Sequence, residues 1–219
     1  VLTLGAYLVG MTVYERTQRH PLANPVLIAV VLVASVITLL DMPYAKYFEG
    51  AQFVHFLLGT ATVSLAIPIY KGLTSLKGRM GVLLIALMGG GVTSIFTAVG
   101  MARWLGADET LVRGMLAKSV TAPIAMGIAE RVQASPTLTA IFAVSTGILG
   151  AVLGRYVLNA LGVQAWWQRG FALGVASHGI GTSRAFSVHP EAGAYASLGM
   201  GLHGVLAAVV IPYVVAWWY

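Results

Sequence analysis

Apolar residues in this chain come in long unbroken runs, and no other feature constrains its fold as tightly. Between short polar connections the runs are about 15 to 25 residues long and almost free of charge, the length at which an α-helix crosses a bilayer. A membrane β-barrel would show segments of roughly ten residues with alternating polarity. Hydrophobic residues make up 58% of the 219 and charged residues 9%, with a mean hydropathy of +0.84. A soluble domain carries about 25% charged residues. The expectation is an all-α polytopic membrane protein with about seven to eight hydrophobic segments. Its 26 glycines suit close helix packing in lipid. With no Cys there is neither a disulfide framework nor a thiolate metal site. The net charge of +6 does not point to nucleic acid, because the basic residues sit mostly at run ends, where they set orientation.

The chain begins at Val1 inside an apolar run, which reads as a start within or just before a first span, with no n-region or cleavage site of a signal peptide. That run ends at Glu15-Arg16, and a second extends from Val26 to Leu40. A loop over 41–50 follows, so that 1–50 reads as an N-terminal helix pair within one transmembrane domain, 1–219. The third run, Phe53 to Tyr70, is interrupted by Thr60, Thr62, Ser64 and Pro68. A basic loop with Lys71, Lys77 and Arg79 leads to the fourth run, Gly81 to Trp104. Leu111 to Val132 contains Lys118-Ser119-Val120-Thr121-Ala122-Pro123. Leu138 to Leu161 is continuous, and the segment from Trp166 breaks at Ser177 to Arg184. The last run, Ala194 to Trp218, ends in Trp217-Trp218-Tyr219, an interfacial aromatic belt. If every run crosses, Arg16, Arg19, Lys71, Lys77, Arg79 and Arg131 share one side. Lys46, Arg103, Arg113 and Arg169 then share the other, which makes the first side cytoplasmic.

The pattern repeats. Leu105-Gly106 followed by Arg113-Gly114 recurs as Leu161-Gly162 followed by Arg169-Gly170, and Pro68-Ile69 recurs as Pro123-Ile124. The repeat-like units are 51–106, 107–162 and 163–219, each an interrupted segment and a continuous helix. An interrupted segment of this length either crosses the membrane, which makes the repeats parallel, or folds back as a re-entrant hairpin, which inverts successive units. Transporters place their substrates where such broken helices meet.

The breaks are where chemistry is expected. A mid-membrane lysine costs about 3 kcal/mol on insertion scales and faces a partner or a wet cavity. Lys118 is such a lysine, and Pro123 beside it frees backbone groups. Lys118 and Arg184 offer positive charge to an anion, and Ser119, Thr121, Ser177 and Thr182 offer hydroxyls. His178 is the proton-coupling candidate. Gly179 and Gly181, with Thr60, Thr62, Pro68 and Pro123, mark helix breaks whose exposed amides suit an anion. The plainer readings are a snorkelling Lys118, a loop charge at Arg184, a packing role for His178 and His203, and simple kinks at the prolines. Arg155, near a helix end, reads as snorkelling. No Gly-x-Ser-x-Gly, His-Glu-x-x-His or phosphate loop occurs, so neither an enzyme nor a metal or cofactor site is expected.

Two of these breaks also resemble a known family. Ala117-Lys118-Ser119-Val120-Thr121-Ala122-Pro123-Ile124-Ala125-Met126 and Ala176-Ser177-His178-Gly179-Ile180-Gly181-Thr182-Ser183-Arg184-Ala185 are similar to signature stretches of the LrgB/CidB/YohK membrane proteins. Leu58-Gly59-Thr60-Ala61-Thr62-Val63 and Glu191-Ala192-Gly193-Ala194 add to the likeness, which covers nearly the whole chain. Ala117 and Thr60 stand where the family tends to have proline, and Ala122 where it tends to have threonine. The resemblance implies one of two functions. The first is transport of small monocarboxylates, since plastid relatives are glycolate/glycerate translocators and some bacterial relatives handle pyruvate. The second is holin- or antiholin-like control of murein hydrolase export and autolysis, with a small LrgA/CidA-type membrane partner. A multi-pass protein of the plasma membrane, able to form a homodimer, is the implied setting.

Overall fold

A computed structural model describes residues 1–64, 67, 70 and 78–218. The described residues are helices and their connections, in two compact units, Val1–Ser64 and Leu65–Tyr219. Pro68, Lys71 and Lys77 lie outside the described residues.

The first unit holds α1 (Leu2–Arg16), α2 (Pro25–Leu39) and α3 (Tyr44–Ser64). Asn24 caps α2, its Oδ1 accepting from Val26 N at 2.9 Å and Leu27 N at 3.1 Å, so Asn24-Pro25 starts a helix. Gly10 lets α1 close on the start of α2: a Cβ there would lie 2.6 Å from Pro25 O. A hydroxyl pair, Thr3 Oγ1 and Tyr47 Oη at 2.9 Å, links α1 to α3. The loop expected over 41–50 is helical from Tyr44 onward. Thr60 and Thr62 lie within α3, which runs unbroken to Ser64. Thr60 donates to Leu57 O at 2.8 Å, so its hydroxyl is satisfied without opening the helix.

The second unit begins with α4 (Met80–Trp104). Gly106, at φ +75°, turns the chain, and Asp108 caps α5 (Glu109–Met115) by accepting from Leu111 N at 2.9 Å. Helical hydrogen bonding then lapses over 116–121, and α6 (Ala122–Arg131) begins. Pro123 falls in the first turn of α6, where its missing N–H costs nothing. Next come α7 (Pro136–Ala160), a turn at Gly162 with φ +68°, α8 (Trp166–Val188) and α9 (Pro190–Trp218). The helices α4 and α7 are both 25 residues long, and each ends in a Leu-Gly turn.

α8 is not straight. His178 has φ 42° and ψ −131°, and there the chain reverses. A straight helix of this length would hold its ends about 33 Å apart, yet the Trp166 and His189 rings stack with centroids 4.9 Å apart. Across the fold, a Cβ at Gly181 would lie 2.7 Å from Leu173 O. The first arm of α8 then runs beside α9 so closely that a Cβ at Gly170 or Gly174 would overlap the carbonyl oxygens of Ala192 and Ala196. The pair α5–α6 also folds back. Gly114 of α5 faces Phe142 and Leu138 in the first turns of α7, which starts just after α6 ends. Apolar residues from α4, α5, α6 and α9 (Val99, Val112, Ile128 and Ile211 among them) close a core around this hairpin.

Among the described residues, three helices are long and apolar enough to cross a membrane: Met80–Trp104, Pro136–Ala160 and Pro190–Trp217. Arg79 lies 4.9 Å from the ring centroid of Trp167, at the Arg169 end of α8.

Candidate functional site

Both chain reversals reach one cavity of about 910 Å³. Ser94, Lys118, Ser119 and Ser177 line its inner end. From there it follows α4 back to Val82, about 18 Å at 1.5 Å per residue, where Trp167 and Gln168 also line it. The walls along that path are apolar, with Leu83, Leu153 and Phe171 among them.

At the inner end, Lys118 Nζ donates to Ser94 Oγ at 3.0 Å and to Ser119 Oγ at 3.3 Å, and the two hydroxyls are 2.8 Å apart. Among the described residues no carboxylate lies within ion-pair distance of Lys118. Ser177 is fully buried and its Oγ has no hydrogen-bond partner among the described residues. It fits only because residue 150 is glycine, since a Cβ there would overlap the hydroxyl. Thr121 Oγ1 is also buried and unpartnered, and its methyl group would be 4.0 Å from a Cβ on Gly179. The tips of the two hairpins therefore meet.

The second tip is held from behind. His178, 4% exposed, uses Nε2 to bond Ala143 O at 2.8 Å. A carbonyl only accepts, so Nε2 carries the proton. Thr182 donates to His178 O at 2.7 Å and so satisfies a carbonyl that the reversal frees. Gly147 leaves room for the imidazole: a Cβ there would be 2.7 Å from Cε1. His203 of α9 packs by Gly91. Among the described residues, no group of three or more His, Asp or Glu is placed to hold a metal ion.

Of the residues singled out from the sequence, Lys118, Ser119 and Ser177 line this cavity, and Thr121 and Gly179 touch at its tips. His178 and Thr182 lie behind the tip, and Gly181 lies in the returning arm against Leu173. Arg184 is elsewhere, in a second cavity with Arg155 and Arg169. Thr60 belongs to the first unit; the side chain of Thr62 and all of Pro68 fall outside the described residues. Sequence reasoning missed Ser94. Ser94 follows Gly89-Gly90-Gly91-Val92-Thr93, a small and polar stretch that was its one signal.

Three apolar helices and two reversals that meet beside a lysine with no carboxylate partner among the described residues define a helical membrane protein with a polar site. The chain belongs to the LrgB-like family, whose profile matches residues 3–217. It is similar to the uncharacterized protein YwbG of Bacillus subtilis, at 31% identity over 98% of this chain and 95% of the relative. It is also similar to the holin-like protein CidB of Staphylococcus epidermidis, at 27% identity over 100% and 95% of the two chains. CidB of Staphylococcus aureus matches at 26% identity over 94% and 90%. No solved structure matches.

Proposed function

We propose that this protein is a carrier for small monocarboxylates of the glycolate, glycerate, lactate or pyruvate type, multi-pass in the plasma membrane. The observation that carries this reading is Lys118: a half-buried ammonium lining the cavity, bonded to two serines and, among the described residues, to no carboxylate. An ammonium in a medium of low dielectric needs an anion. The N-terminus of α6 begins at the same tip and adds the positive end of its dipole. Ser119 and Ser177 are placed for the second oxygen of a 2-hydroxy or 2-oxo acid, and Thr121 stands beside them. Since His178 uses Nε2 as donor, its Nδ1 is the proposed proton carrier.

In this reading α5–α6 and α8 are re-entrant hairpins entering from opposite faces. Each follows a 25-residue helix. α4 plus α5–α6 and α7 plus α8 are then inverted copies of one unit, shifted by about 56 residues. The long cavity is the access path of one state, open toward the α8 end. Hairpin tips meeting at mid-depth give a small site that opens to one face at a time.

The holin-like reading is favoured by the names of the CidB relatives. It makes the chain part of a lesion, or the regulator of one, together with a small LrgA/CidA-type membrane protein. A lesion has no use for a buried cation among hydroxyls, so the carrier reading accounts for more of the structure. Proteoliposomes separate the two. A carrier takes up labelled glycolate or lactate and retains large dyes, whereas a lesion releases the dyes.

A further inference from the structure

The lining of the 910 Å³ cavity is graded, and three helices grade it in the same sense. Along α4 the residues facing it include Val82, Ala86, Gly90 and Ser94, one every fourth position. Along the first arm of α8 they lead from Trp167 through Phe171 and Val175 to Ser177. α7 leads from Val157 through Leu153 and Gly150 to Thr146. Gly150 abuts the Ser177 hydroxyl, so the Thr146 end of α7 is the Lys118 end of the cavity. Hydroxyls therefore collect at one end and apolar groups lead away from it. Among the described residues that line the cavity, Lys118 is the one charged side chain. The volume of about 910 Å³ is near the top of the roughly 300–1,000 Å³ found for pockets that hold drug-sized molecules. An acid of two or three carbons occupies the hydroxyl end and leaves the apolar length unfilled. Apolar voids in proteins stay dry and take apolar guests.

We infer that the site also takes monocarboxylates with a straight apolar tail, the carboxylate on Lys118 and the tail laid along α4 toward Val82. The inference rests on Lys118 as the anion site of the carrier reading and widens the substrate class of that site. Ala86 and Gly90 of α4 and Ala172 of α8 keep the lane open, because each is too small to enter it. Dicarboxylates are disfavoured: a second carboxylate would lie among Leu83, Leu153 and Phe171 without a counter-charge.

The test titrates the purified protein in a neutral detergent with acetate, butyrate, hexanoate and octanoate, and with the primary alcohols of the same lengths, following Tm. The alcohols enter micelles as the acids do and so report partition alone. Affinity is expected to rise about fourfold for each methylene buried, for the acids and not for the alcohols. Lys118→Ala is expected to weaken all four acids by a similar factor. Ala86→Phe and Ala172→Phe, which fill the lane, are expected to weaken octanoate about tenfold or more and acetate far less. Suberate, which is octanoate with a second terminal carboxylate, is expected to bind at least about tenfold more weakly than octanoate. Affinity independent of length, with acetate still bound through Lys118, would overturn this inference and leave the carrier reading standing. Binding of no acid at any length would remove the support of both. Equal responses to acids and alcohols, suberate binding as octanoate does, or both lane variants keeping the parent's dependence on length would also overturn the inference.

Discussion

Lys118 concentrates the chemistry of this chain in one side chain. Its two serine partners accept hydrogen bonds but do not neutralise its charge, and with the hairpin tips at mid-depth, as proposed, an ammonium without a counter-ion costs about 3 kcal/mol. A bound carboxylate removes that cost, so ligand binding and stability are coupled there. Lys118→Ala is therefore expected to raise Tm or leave it unchanged, while weakening substrate binding between about 10- and 100-fold. Thermal shift with and without glycolate or lactate measures both effects. Ser177→Ala separates packing from recognition in the same way. The hydroxyl has no partner to lose among the described residues, so stability should hold or improve. Affinity should fall roughly fivefold, the worth of one neutral hydrogen bond. A large loss of stability in Ser177→Ala would give that hydroxyl a structural role instead.

The two broken helices depend on small residues where backbones approach. A Cβ at Gly174 would overlap Ala196 O, which belongs to backbone and has nowhere to move. Gly174→Ala is expected to cost about 1–3 kcal/mol. Gly89→Ala, where nothing lies within 4 Å of the added carbon, should be neutral or stabilising by up to about 1 kcal/mol. Unfolding of both variants in detergent checks the contrast. Much at this scale was legible in the sequence. Lys118 to Pro123 and Ser177 to Arg184 mark the places where helical bonding lapses or the chain turns, because polar residues and a proline disturb apolar runs there. The direction of the chain after each break was not legible, since a run of 23 residues is long enough either to cross or to return. A break near His178 was legible, but not that the histidine itself would carry the turn. Its backbone lies in a region that favours glycine, at a cost of about 1–3 kcal/mol. Ser94 gave little signal because a serine in a membrane helix ordinarily bonds its own turn. Arg184 read as part of the first site because it lies seven residues from Ser177 in sequence, yet the returning arm carries it to another cavity.

At the scale of the whole molecule, composition alone marked a helical membrane protein, and two motifs marked the family. The number of crossings did not follow, because hydrophobic length treats a hairpin and a span alike. Labelling tests the proposed topology, and the chain has no native Cys to interfere. Asp108→Cys and Gln133→Cys flank the first hairpin and are expected to react with an impermeant maleimide from the same face, with Gln164→Cys reacting from the opposite one. Asp108 and Gln133 labelling from different faces would make that segment a crossing. The central claim is that the tips of the two hairpins form an anion site used for transport. The direct measurement is uptake of labelled glycolate, glycerate, lactate and pyruvate into proteoliposomes holding the parent protein or Lys118→Ala. The account predicts saturable uptake of at least one of these acids, stimulated by an inward proton gradient, with dyes retained and flux reduced at least tenfold in the variant. Folded protein that moves none of the four, or a Lys118→Ala variant that transports as the parent does, would contradict it.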